Sequence, residues 1–195
     1  MIQREHLAEL VGEAKIEVKV SALIRALTPP AEVIAVERAF IASAVPRIGV
    51  SWNGEGGIYA GVIRGETEDY HLVVGAISPD KLEWGAYGTD VPGTVSEHDG
   101  RSNTLALIES DNDHPAAKWA RANTADGHSD FYLPARRELS LLYANVPELF
   151  EKVWHWSSTQ YSAHSAWYQY FVDGDQYGTA KGYVARAVAV RRLVL

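Results

Sequence analysis

The histidines His98, His114, His128, His155 and His164, with the acidic runs DND at 111–113 and DGD at 173–175, are the residues here whose types admit acid–base or metal chemistry. A helical zinc site needs histidines one turn apart, as in H-x-x-x-H, and these are scattered, so they read as solvated or core histidines. Calcium needs oxygen ligands at regular intervals within one loop, and neither acidic run continues into such a pattern. No metal and no cofactor are therefore expected. The segment GEGGIYAG, residues 54–61, lacks the strand-then-helix setting of a dinucleotide loop, and no G-x-S-x-G elbow or Walker motif occurs. With no cysteine, thiolate nucleophiles, disulfides, iron–sulfur clusters and Cys-ligated zinc are excluded. Arg136, Arg137, Arg191 and Arg192 are expected to cap, bridge or solvate rather than to bind phosphate.

What the chain does concentrate is aromatic surface. The stretch WHWSSTQYSAHSAWYQYFVDGDQY, residues 154–177, keeps no single helical or strand period. Residues 154–183 hold nine of the chain's twenty aromatic residues, with Asp173, Asp175 and Lys181 as the formal charges, which is too many rings for one layer of core. Strand parity puts Trp167 and Phe171 on one face with Gln169, and Tyr168 and Tyr170 on the other. Trp156, Trp167 and Phe171 are expected to hold the fold. Tyr161, His164, Asp173, Asp175, Gln176, Tyr177 and Thr179 sit among Ser, Gly and Ala in expected loops, and join Tyr168 and Tyr170. As a set they are the candidate ligand-binding residues, since Tyr-, Ser- and Gly-rich loops join rigid contact area to adaptable hydrogen bonding.

The elements that must position them divide into an arm and a body. A chain of 195 residues, 47% hydrophobic and 22% charged, has the composition of a globular protein with one sizeable core plus an appendage. Over 1–45 the pattern is Gly-poor and helical. Leu7, Leu10, Val11 and Ala14 form one stripe, and Thr28-Pro29-Pro30 starts a helix whose buried face holds Val33, Ile34, Val36 and Phe40. KIEVKV, at 15–20, reads as a strand or as a helix with a wider apolar face. The body, 46–195, opens with a β-hairpin in which Ile58, Ala60 and Val62 alternate with Tyr59, Gly61 and Ile63, Glu66 to Asp69 turn, and Tyr70 to Ala76 return. Lys81 to Asn112 reads as a long surface excursion. Asp113 is expected to cap a helix with Pro115 in its first turn and Ala116, Ala117, Trp119 and Ala120 as its packing face. A second helix over about 135–144 carries Leu139, Leu142 and Tyr143. The final strand, 184–194, alternates Val184, Val188 and Val190 with Ala185, Ala187 and Ala189, which predicts a central strand covered on both faces.

Four segments of the body resemble a known family in sequence order. DGHSDFYLPARREL matches a G-x-x-D-[WF]-x-L-P-x-x-x-E-L pattern through Gly127, Asp130, Phe131, Leu133, Pro134, Glu138 and Leu139. Trp156 to Thr159 match W-S-S-T, Ala166 and Trp167 with Phe171 match an A-W and Phe pair, and Arg186 to Val188 fall in a closing R-A-V-R strand. Together they resemble the bacterial and phage family typified by the C-terminal domain of the Legionella collagen-like adhesin. The match runs over about 47–195, is specific from 113 onward and is weak across 85–112.

That resemblance implies an α+β, C-type-lectin-like domain of two helices on a small twisted, mainly antiparallel sheet, preceded by the helical N-terminal arm. It implies a non-enzymatic ligand-binding module, a receptor-recognition or accessory protein of a phage tail tip or fibre. Its expected partners are a host cell-surface glycan or protein and other virion subunits, in a homo-oligomer with a trimer favoured. The Glu-Pro-Asn and Trp-Asn-Asp triplets of calcium-dependent animal lectins do not occur. Formylglycine-generating enzymes share the broad fold, but their chemistry needs cysteines. The alternative is a structural virion protein whose aromatic surface packs against neighbouring subunits. A net charge of −7 argues against nucleic acid. The charged N-terminus lacks the apolar core of a signal peptide, and no run of roughly 18 apolar residues predicts membrane insertion. The expected location is the virion, after synthesis in the host cytoplasm.

Overall fold

The computed structural model describes residues 45–195, and the arm expected over 1–45 lies, up to residue 44, outside the described residues. The body is mixed α+β, with antiparallel sheets and three α-helices. Strands β1 (Ser51–Trp52), β2 (Gly57–Ile63), β3 (Tyr70–Ile77) and β9 (Val188–Val194) form one sheet in the order β1-β2-β3-β9. A second sheet, in the order β5-β6-β7, comprises β5 (Trp154–Gln160), β6 (Ser165–Tyr170) and β7 (Gln176–Ala180). A short pair joins β4 (Leu82–Glu83) to β8 (Val184–Ala185). The helices are α1 (Gly100–Glu109), α2 (Pro115–Arg121) and α3 (Arg136–Asn145).

The β2–β3 hairpin forms where the alternation predicts it, with one departure. The pairing slips between Tyr59 and Gly61, a bulge that leaves Tyr59, Ala60 and Ile63 buried and Val62 exposed. Gly61, at φ 121°, takes a backbone conformation that side-chain-bearing residues rarely adopt.

The supposed surface excursion instead contains α1, so the two expected helices become three. Asp99 caps α1 by accepting the Ser102 N–H at 2.9 Å. The buried side of α1 holds Leu107 together with Asn103 and Thr104. Asn103 Nδ2 donates to the Ser96 carbonyl at 2.7 Å, while Thr104 Oγ1 donates to the Gly100 carbonyl at 2.7 Å and receives the Leu133 N–H at 3.0 Å. An inward face satisfied by hydrogen bonds leaves no apolar period in the sequence.

Helix α2 starts at Pro115 with Ala116, Ala117 and Ala120 buried, as the small-residue face predicts. Its N-cap is His114, not Asp113, whose carboxylate pairs with Lys118 at 2.6 Å.

The final strand is corrected in position. Strand β9 ends the sheet order rather than lying within it, and its outer edge meets Tyr132, which exchanges two backbone hydrogen bonds with Val190 at 2.8 and 2.9 Å. The expected strand is also split, since Val184 and Ala185 form β8 beside β4 with Val184 exposed, and both faces are covered as the Val/Ala alternation predicts only over Ala187 to Val190. Val188 and Val190 join Leu139 and Leu142 of α3 in one core cluster, while Ala187 and Ala189 join Ala116, Ala117 and Ala120 of α2 in another. The second cluster also holds Trp84 and Trp156, both fully buried. Burying a ring of this class removes roughly 150–250 Å² from water, on the order of 4–6 kcal/mol. Trp156 therefore anchors β5, and through it the second sheet, to the body.

Candidate ligand-binding surface

The pairing of β5, β6 and β7 sorts the aromatic stretch onto two faces. Opposite residues share a face, and the register sets Trp154 against Tyr170, Trp156 against Tyr168, Tyr168 against Tyr177 and Ala166 against Thr179. One face thus collects Trp154, Trp156, Tyr168, Tyr170, Tyr177 and Thr179. The other carries Trp167, Gln169 and Gln176 toward α3.

On the first face the rings touch one another. Trp154 stacks on Tyr168 with centroids 3.9 Å apart and on Tyr170 at 4.6 Å, and Tyr177 stands at 60° to Trp154 at 5.9 Å. Tyr183, just before β8, lies nearly perpendicular to Tyr168 at 6.5 Å. The cluster grades from core to solvent. Trp156 is buried with its indole N–H donating to the Leu82 carbonyl at 2.8 Å, Trp154, Tyr168 and Tyr170 are half-buried, and Tyr177 and Tyr183 are 54% and 53% exposed.

Carboxylates rim this face. The Tyr177 hydroxyl donates to Asp175 Oδ2 at 3.1 Å, and the Asp175 N–H donates to Asp173 Oδ1 at 3.1 Å. The hydrogen bond to Asp175, its charge and that of Asp173 push the Tyr177 hydroxyl above its usual value. Among the described residues no ion pair involves Asp173 or Asp175.

Of the nine candidates read from sequence, Tyr168, Tyr170, Asp173, Asp175, Tyr177 and Thr179 come together here. The others do not. Tyr161 packs edge-on against Trp167 at 5.0 Å on the opposite face, and His164 meets Tyr87 at 5.2 Å. Gln176 is committed to α3, accepting from Arg136 Nε at 2.7 Å and donating to the Arg136 carbonyl and Ser140 Oγ, each at 3.0 Å. Trp154 and Tyr183 are the cluster members that the sequence reading missed.

The expected core triad also needs one correction. Trp156 and Phe171 are buried, but Trp167 is only partly so. Its ring is covered by the Arg136 guanidinium, 3.8 Å from the centroid, rather than by core. Arg136 is held in turn by Glu97 at 2.8 Å. Bridging describes the other arginines too: Arg137 approaches Glu97 at 3.8 Å, Arg191 pairs with Asp130 at 2.7 Å and Arg192 with Asp99 at 3.1 Å.

The groups that resemble catalytic parts are occupied with the fold. Glu138 is fully buried; the Tyr70 and Tyr132 hydroxyls donate to its Oε1 at 2.6 Å each and the Ala135 N–H to its Oε2 at 2.7 Å, closing the N-terminus of α3. Burial raises its carboxyl to about 7 against the pull of those hydrogen bonds. A cavity of about 70 Å³ is lined by Tyr70, His98, Asp99 and Arg192, and Glu138 is not part of its lining. His155 packs against Phe150 and Phe171, and burial lowers it to about 4. His114 is buried and donates from Nδ1 to the Trp84 carbonyl at 3.0 Å. Among the described residues no three or more His, Asp or Glu side chains are grouped to hold a metal ion, and no helix is long and apolar enough to cross a membrane. No protein-family model and no curated protein matches the chain.

Proposed function

We propose that residues 46–195 are a C-type-lectin-like, non-enzymatic ligand-binding module whose ligand contacts the ring cluster of Trp154, Tyr168, Tyr170, Tyr177 and Tyr183. The observation that carries this reading is the gradient from the buried Trp156 to the exposed Tyr177 and Tyr183, because rigid rings anchored at one end offer contact area at small entropic cost. The α+β body with antiparallel sheets is compatible with the lectin-like scaffold, and the four motif segments support it. On that reading the protein is a receptor-recognition or accessory component of a phage tail tip or fibre. It binds a host cell-surface glycan or protein, is attached through residues 1–45, and works as a homo-oligomer, a trimer by preference.

The polar groups most like catalytic ones, Glu138, His114 and His155, are buried in fold-holding contacts, which favours binding over catalysis. A structural virion subunit is the second reading, favoured by the same exposed tyrosines, which a neighbouring subunit would cover. Binding of purified protein to a glycan array and to host cells, beside Tyr177→Ala and Tyr183→Ala, tests the first reading. Saturable binding lost in either variant supports it. Wild-type protein that binds neither, yet changes oligomeric state in both variants by light scattering, supports the structural subunit instead.

A further inference from the structure

Building on the reading of this face as a ligand surface, we infer that the ligand is a protein presenting an arginine side chain, its guanidinium lying on the rings around Tyr177 and meeting Asp175 and Asp173. The two faces of the β5-β6-β7 sheet carry the argument. On the α3 side, the Trp167 ring already takes a guanidinium from within the chain: Arg136 lies 3.8 Å from its centroid and donates to Glu97 Oε1 at 2.8 Å. Ring plus carboxylate is the pairing that suits a planar, delocalised cation, which stacks on aromatic faces and forks onto carboxylate oxygens.

The opposite face repeats those ingredients. It offers the rings of Trp154, Tyr168, Tyr170 and Tyr177 and the carboxylates of Asp173 and Asp175, yet among the described residues no arginine or lysine pairs with either carboxylate. Of the described carboxylates six, Glu55, Glu97, Asp99, Asp113, Asp130 and Glu151, hold a basic partner, and Asp173 and Asp175 are among the others that hold none; what sets these two apart is their place beside the Tyr177 ring. Among the described residues only one oxygen of each rim carboxylate is hydrogen-bonded, Asp175 Oδ2 and Asp173 Oδ1, which leaves the other for a further donor. A net charge of −7 attracts a basic partner and repels an acidic one. The exposure of Tyr177 and Tyr183 makes the face open to a side chain standing out from a broad surface. Arginine fits better than lysine because a compact, strongly hydrated ammonium gains less from ring faces.

The test uses the full chain and three peptides, acetyl-Gly-Arg-Gly-Arg-Gly-amide and its lysine and citrulline counterparts, citrulline being arginine's neutral isostere. Isothermal titration gives affinities, and amide NMR shifts locate the contact. The arginine peptide is expected to bind about tenfold more tightly than either counterpart, with shifts at Trp154, Tyr168, Tyr170 and Tyr177. Tyr177→Ala, which leaves the charge unchanged, and Asp175→Asn should each weaken it about fivefold or more. Tyr161→Ala, on the opposite face, should not. Equal affinity for the citrulline peptide overturns the inference, as does arginine binding undiminished in Tyr177→Ala, or no saturable binding at all. The wider reading is judged separately by host-cell binding: loss there in Tyr177→Ala together with equal citrulline affinity removes only the guanidinium, whereas unchanged cell binding in Tyr177→Ala and Tyr183→Ala removes the surface itself.

Discussion

Trp154 stacks on Tyr168 across the β5–β6 pairing, ring centroids 3.9 Å apart and planes 15° from parallel. Because Trp154 also stacks on Tyr170 and packs against the cluster holding the buried Trp156, it joins the surface rings to the core. Trp154→Ala should therefore lower stability by roughly 2–4 kcal/mol, combining part-burial with two lost stacking contacts. Urea unfolding measures it, and a change within experimental error would mean that the stack contributes nothing.

The two tryptophans expected in the core should behave differently. Trp156→Ala removes a fully buried ring and should cost about 3–5 kcal/mol. Trp167→Ala removes a half-buried ring whose cover is Arg136, and should cost roughly 1–2 kcal/mol. Equal losses in urea unfolding would contradict the placement of Trp167.

Glu138 links pH to stability. Burial raises its carboxyl from the ordinary 4.5 to about 7, so between those values the folded protein holds a proton that the unfolded chain releases. Its contribution is full below the unfolded value and is lost as pH rises through 7. His155, lowered to about 4, acts in the opposite sense over an overlapping range, so the wild-type profile alone is ambiguous. The stability deficit of Glu138→Gln relative to wild type should be larger at about pH 5 than at about pH 8. A deficit independent of pH in urea unfolding would rule out this titration.

Lys181 is a buried tie. Its ammonium donates to the Thr89 carbonyl and to Gln160 Oε1, each at 2.6 Å, and lies 4.6 Å from the centre of the Trp84 ring. Burial lowers it to about 8, below the unfolded 10.5, so its contribution to stability rises as pH climbs between those values. Lys181→Met should cost roughly 1–3 kcal/mol by leaving the Thr89 carbonyl unpaired and Gln160 Oε1 with the Val91 N–H alone, and should lack that alkaline rise. A variant that keeps the rise would assign it to another group.

How much of this was legible in the sequence follows from which signals are local. The β2–β3 hairpin, α3 and the Val/Ala faces of β9 are written in apolar period and turn chemistry, and they form accordingly. Helix α1 was hidden because Asn103 and Thr104 fill its inward face, and their partners Ser96 and Leu133 are brought near only by folding. Parity separated Tyr168 from Trp167 correctly, but Trp154 and Tyr183 join the cluster only once β5 pairs with β6 and β4 with β8. Gln176, Tyr177 and Thr179, expected in loops, lie on β7 because their partners on β6 are set only by folding, and α3 then packs beside Gln176.

The central claim is that the ring cluster binds a ligand through its exposed members, Tyr177 and Tyr183, which the fold can spare. Host-cell binding by Tyr177→Ala, measured at a temperature where circular dichroism shows it as folded as wild type, tests this most directly. The account predicts an unchanged melting temperature with binding weakened about tenfold. A variant that melts early and loses binding only in proportion to unfolded protein, or one that is fully folded and binds as wild type does, would contradict it.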